Sequence, residues 1–178
     1  SYWADYEAPE FVDANNGVHL YRVAYNSTIP EQNNRPTLAY GLVAIPTDAA
    51  GPLSVVSYQH GTLVGKGEVP SQSFDGIGSV PGADPLYDAT YETRLNVAQF
   101  GGQGYAVIAA DYFGVGNSLE NDGYISKSSQ QQACLDMYYA SVKLLDSQDH
   151  PVSNLFLGGW SQGGLVTVDF LEKLQSVG

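Results

Sequence analysis

The clearest capacity for chemistry lies in Gly159-Trp160-Ser161-Gln162-Gly163, a serine with glycine two positions away on each side. A serine hydroxyl attacks only once a base has taken its proton, so it must stand where base and substrate both reach it. A sharp turn from strand to helix does this. Such a turn strains the serine backbone and crowds the positions two residues away, where glycine leaves room. Gly159 and Gly163 fill those positions, and Gly164 adds room. A helix beginning there offers free N–H groups, and that of Gln162 would point at an oxyanion forming on the attacked carbonyl. The plainer reading is a glycine-rich phosphate-binding turn. That would want G-x-G-x-x-G or GK[ST], and neither is present at this turn.

The other residues with chemical potential are few. His19 falls in an early strand, His60 in Tyr58-Gln59-His60-Gly61-Thr62, and His150 in the polar turn Ser147-Gln148-Asp149-His150-Pro151. His60 reads as a hydrogen-bonded structural histidine, and none of the three is a convincing general base. No histidine follows Ser161. Cys134, the single cysteine, precludes an intrachain disulfide and reads as a small buried apolar residue within a helix. No metal site and no cofactor are expected.

Elements that alternate in type must position the serine. Residues 19–25, 38–45 and 53–58 read as strands, 91–100 as a helix stopped at Gly101-Gly102 by a left-handed glycine, and 105–110 as the next strand. A longer helix runs from an N-cap at Ser128 or Ser129 to about Ser147, with Ala133, Met137, Ala140 and Leu144 sharing one face. A strand at 152–157 and a helix at 165–174 bracket Ser161. Strands separated by helices pair in parallel, because each connection must cross the sheet, and this makes the class α/β. Residues 63–88 form a long connection rich in Gly, Pro and Ser, read as a surface excursion beside the active site, with Lys66 and Glu68 as solvated charges.

Composition narrows the partners. A chain of 178 residues supports one core, and a formal charge of −12 repels phosphate backbones, which excludes nucleic acid as a partner. No apolar run is long enough to span a membrane. Scarce lysine and the sequon Asn26-Ser27-Thr28 point to a secreted or periplasmic protein.

Three blocks together resemble the α/β-hydrolase superfamily, and within it the secretory lipase and esterase group. They are Tyr58-Gln59-His60-Gly61-Thr62, Asp111-Tyr112-Phe113-Gly114-Val115-Gly116-Asn117-Ser118, and Gly159 to Gly164, within a likeness spanning about residues 37–175. The resemblance implies a mostly parallel central sheet with helices on both faces, and Ser161 as the nucleophile in a nucleophile elbow. It implies that Thr62 supplies the second N–H of the oxyanion hole beside Gln162. It assigns Asp111 to turn geometry, accepting local backbone N–H bonds, because the family acid follows the serine. Family order then places the acid and the histidine downstream. Residues 1–178 are therefore expected to form the N-terminal portion of a single catalytic domain, completed by a companion C-terminal polypeptide. The implied activity is that of a serine hydrolase cleaving small-molecule or lipid carboxylic esters. A serine peptidase of the prolyl-oligopeptidase type and a non-catalytic binding protein that keeps the fold are the alternatives.

Overall fold

The computed structural model describes residues 13–75 and 90–178. Of the long excursion expected at 63–88, residues 76–88 lie outside the described residues. Two strands open the fold, β1 (Val18–Ile29) and β2 (Arg35–Pro46), paired antiparallel from Val18↔Pro46 to Ile29↔Arg35. Both run longer than their apolar clusters suggest. The pairing continues to a tight turn in which Asn33 and Asn34 adopt left-handed backbone (φ 55° and 56°), a conformation asparagine tolerates well.

Next come β3 (Leu53–Gln59), α1 (Thr90–Asn96) with a widened turn at Val97–Gly101, β4 (Ala106–Ala110), α2 (Lys127–Ser147), β5 (Val152–Gly159) and α3 (Gln162–Val177). The sheet order is β1-β2-β4-β3-β5. β4, β3 and β5 are mutually parallel, as strands joined by helices must be, whereas β2 meets β4 antiparallel. The sheet is thus mixed, and its parallel part carries Ser161.

Alternation along the strands fills both faces. Val43, Ile45, Val55 and Ile108 pack with α2 and α3 through Ala133, Met137, Leu145, Val166 and Phe170. Leu42, Ala44, Tyr58 and Val107 face the other way, against Val97 and Phe100. Cys134 is buried among the first group, and burial pushes its thiol pKa up to about 12. The face of α2 differs slightly from expectation. Ala133 and Met137 are buried, but the row continues through Ser141 and Leu145, leaving Ala140 and Leu144 on its flank.

Two terminal signals also differ. The glycine with left-handed backbone after α1 is Gly104 (φ 90°), while Gly102 is helical, and a Cβ there would lie 2.3 Å from the Ala98 carbonyl oxygen. The N-cap of α2 is Ser126, and its side chain closes no capping bond. The Glu31 carboxylate caps instead, accepting the Ser129 amide at 3.1 Å and the hydroxyls of Ser126 and Ser129 at 2.6 Å. Among the described residues no helix is long and apolar enough to cross a membrane.

Candidate functional site

β5 ends at Gly159 and α3 begins at Gln162, so Trp160 and Ser161 make the whole turn. Ser161 has φ 56° and ψ −124°, a conformation that costs a side-chain-bearing residue of order 1–3 kcal/mol and persists only where its surroundings impose it. The surroundings are visible. A Cβ on Gly159 would lie 2.5 Å from the Gly163 carbonyl oxygen, and one on Gly163 would lie 1.9 Å from that of Gln59. The start of α3 therefore presses on the ends of β5 and β3, as the glycine spacing predicted. Gly164 is under no such constraint, its nearest neighbour lying 3.6 Å from a built Cβ.

Because β3 and β5 are parallel neighbours with Gln59 opposite Gly159, the segments that follow them leave the sheet side by side. Thr62 and Ser161 are exposed and line the same cleft, about 960 Å³ in volume, whose walls include Tyr91, Leu95, Phe100, Tyr105, Phe156 and Trp160. Gln162 opens α3, where backbone N–H groups have no partner within the helix. The structure thus gathers Thr62, Ser161 and Gln162 at the carboxyl end of the parallel strands. Tyr124 joins them from the segment after β4, its hydroxyl 3.3 Å from the Thr62 hydroxyl.

The three histidines have other partners or other places in the fold. His60 is 2% exposed, its Nδ1 2.7 Å from the Gly61 carbonyl and its Nε2 3.2 Å from that of Asp111, and its ring stacks on Tyr112 at 4.0 Å. Burial lowers its pKa, against a smaller opposing effect of the two carbonyls. His150 precedes β5 and bonds to the Gly51 carbonyl at the far end of the sheet. The eight-residue strand β5 separates it from Ser161 by roughly 25 Å at the usual rise per residue. His19 lies on β1, the opposite edge strand, roughly four strand spacings or 19 Å away.

Asp111 is fully buried, and its partners correct the expectation of local backbone bonds. It accepts the amide (2.8 Å) and the hydroxyl (2.5 Å) of Ser71, a residue of the excursion after β3. Burial raises its pKa to about 6, against the Ser71 hydrogen bonds that lower it. Glu68 is likewise more than a solvated charge, for it accepts the amides of Val64 and Gly65 and shapes the turn beside Thr62.

Glu92 carries no sequence signal that singles it out, yet it lines the cleft from α1. Its carboxylate accepts the Gly61 amide at 3.2 Å. Burial raises its pKa, while Tyr58, Gly61 and Trp160 nearby hold it down. The buried Tyr58 hydroxyl lies beside that carboxylate and has no hydrogen-bond partner among the described residues. Among the described residues no three His, Cys, Asp or Glu side chains gather as metal ligands do.

The family model described as serine aminopeptidase, S33, matches residues 90–177. A Legionella pneumophila protein carrying a provisional hydrolase assignment is 28% identical over 90% of this chain and 40% of its own, with a TM-score of 0.70. The rice cell wall degrading esterase LipA from Xanthomonas oryzae is 25% identical over 98% of this chain and 42% of its own, TM-score 0.75. Candida antarctica lipase A, at 24% identity and a TM-score of 0.62, shares the fold over 86% of this chain and 33% of its own. No curated protein matches the sequence. The chain spans about two fifths of the length of the first two structures.

Proposed function

We propose that this chain, an α/β-hydrolase by fold and similar to esterases and lipases, carries the nucleophile of a carboxylic ester hydrolase, Ser161. The observation that carries this reading is the backbone of Ser161, φ 56° and ψ −124°, exposed at the mouth of a largely apolar cleft. Strain of that kind is retained where it presents a reacting atom. In the proposed reaction the Ser161 Oγ gives its proton to a base and bonds to the ester carbonyl carbon. The carbonyl oxygen becomes an oxyanion, held in an oxyanion hole by the N–H groups of Thr62 and Gln162. Collapse breaks the ester C–O bond, and the alcohol departs with the proton that the base took. Water then repeats the sequence on the acyl-enzyme, freeing the acid and restoring the serine.

The base is a histidine oriented by an Asp or Glu, both on a companion C-terminal polypeptide of the same protein. The positions of His19, His60 and His150 support this, since both ring nitrogens of His60 face backbone carbonyls and the other two lie at the far edge and far end of the sheet. In the complete protein Ser161→Ala should lower ester turnover by about 10³-fold or more with the unfolding temperature kept, and a fluorophosphonate should label the wild type at Ser161. Ester turnover surviving in the variant would overturn the reading. The serine aminopeptidase description supports the coarser form of a second reading, a serine peptidase, for which the prolyl-oligopeptidase type remains the proposed alternative. Faster cleavage of aminoacyl amides than of short acyl esters would select it. A properly folded complete protein that no fluorophosphonate labels would select the non-catalytic alternative.

A further inference from the structure

Resting on the hydrolase reading, we infer that Glu92 is a positioning residue that ties the segment carrying Thr62 to the turn carrying Ser161 and so sets the separation of the two oxyanion amides. Gly61 lies between the immobilised His60 and the exposed Thr62. The Glu92 Oε2 accepts the Gly61 amide at 3.2 Å. A Cβ built on Gly61 would lie 3.2 Å from that same oxygen and 3.2 Å from the Trp160 indole nitrogen. Carboxylate and indole nitrogen therefore stand together against Gly61, with Trp160 among the neighbours that hold the Glu92 pKa down, and Trp160 is the residue directly before Ser161. One side chain of α1 thus stands at the join between the segments leaving β3 and β5.

Such a join matters because no strand pairing extends to it. The register of β3 with β5 ends at Gln59 and Gly159, and beyond those residues the two segments are free of the ladder. Oxyanion donors act through preorganisation, and removal of one costs about 10²–10³ in turnover. Releasing the frame that spaces two donors should cost less. A carboxylate in a half-buried apolar cleft is also disfavoured by desolvation, so its place there needs partners, and the Gly61 amide is one. The role inferred for Glu92 runs through the Gly61 amide and not through the reacting oxygen. What it supplies is distance.

The test uses the complete protein and a short-chain p-nitrophenyl ester. Glu92→Ala should lower kcat about tenfold or more while KM stays within about threefold, because a transition-state contact is loosened and ground-state binding is not. Glu92→Gln keeps a carbonyl oxygen for the Gly61 amide and should recover kcat to within about threefold of wild type. Trp160→Phe removes the indole N–H beside the Glu92 carboxylate and should lower kcat in the same manner by about threefold, a readout that stands even if Glu92→Ala does not fold. The inference is overturned by a kcat within twofold of wild type in Glu92→Ala or Trp160→Phe, by a KM that rises as kcat falls, or by Glu92→Gln as impaired as Glu92→Ala. Ser161→Ala separates the two layers. If that variant is inactive and Glu92→Ala matches wild type, the clamp fails alone; if Ser161→Ala is active, the hydrolase reading fails first.

Discussion

At the scale of single residues, the two glycines flanking the serine are constrained by contact and not by their own backbone angles, since neither has positive φ. That distinction yields a comparison between neighbours. Gly163→Ala would drive a methyl to 1.9 Å from the Gln59 carbonyl oxygen, so β3 and α3 must part. A forced shift of this size should cost about 3 kcal/mol or more. For a domain of ordinary size that lowers the unfolding temperature by about 10 °C, and turnover falls with it as the amides of Thr62 and Gln162 separate. Gly164→Ala meets nothing closer than 3.6 Å and sits in the first turn of a helix. It should be neutral or stabilising by up to about 1 kcal/mol, since alanine loses less backbone entropy there. Thermal melts of the two variants decide the matter. A Gly163→Ala protein as stable as Gly164→Ala would mean that α3 does not press on β3 as described.

At the scale of elements, local pattern carried far and distant contact did not. The parallel strands, the helix before β4 and the strand-to-helix turn at Ser161 were legible because apolar runs and glycine spacing encode them directly. The antiparallel start of the sheet was not, because β1 and β2 are joined by a tight turn with no helix between, marked only by Asn33 and Asn34. The cap of α2 comes from Glu31, 98 residues before Ser129, and no local signal reports such a partner. Asp111 is a case of the same kind, joining the end of β4 to Ser71 on the excursion after β3.

That junction has a pH signature. The Asp111 carboxyl has a pKa of about 6 in the fold against 3.8 for an ordinary aspartate, so the folded chain holds the proton more tightly than the unfolded one. Protonation therefore favours the fold, in the sense opposite to that of a salt-bridged aspartate. The stability from this group is full below about pH 4 and is lost as pH rises toward 6, by about 3 kcal/mol for roughly two pKa units. Asp111→Asn keeps an oxygen for the Ser71 amide and cannot titrate. Denaturant titrations at pH 4, 5, 6 and 7 should show wild type losing stability relative to the variant up to pH 6, then running parallel to it. A difference that stays constant from pH 4 to 7 would show that Asp111 does not carry its burial cost as a titrating group.

At the scale of the whole molecule, the sheet is covered unevenly. On one edge β1 exposes His19, Arg22 and Asn26 together with Leu20 and Ala24, a mixed row with a single large apolar side chain. On the other edge β5 pairs only with β3 among the described residues, and apolar side chains stand open around it. Phe156 is 51% exposed on β5, and Leu165, Val168 and Leu171 are 46%, 63% and 47% exposed along one flank of α3. A strand edge with free backbone donors and acceptors, bordered by large apolar side chains, is a template for further strands. The proposed companion polypeptide would occupy this edge, and the same polypeptide would bring the histidine that Ser161 needs. Residues 1–178 prepared alone should therefore self-associate at micromolar concentration, despite the solubilising effect of a charge of −12. Light scattering and sedimentation check this directly, and the complete protein under the same conditions should show the edge protected, with slowed amide exchange along residues 152–159. Adding charge at the edge discriminates further. Phe156→Lys together with Val168→Lys should reduce association of the short chain, by placing like charges where strands would add, and should destabilise the complete protein, where both side chains would be covered. If the short chain is monomeric and stable, and the two lysines leave the complete protein unharmed, then β5 is a true outer edge and the base for Ser161 must arrive from elsewhere.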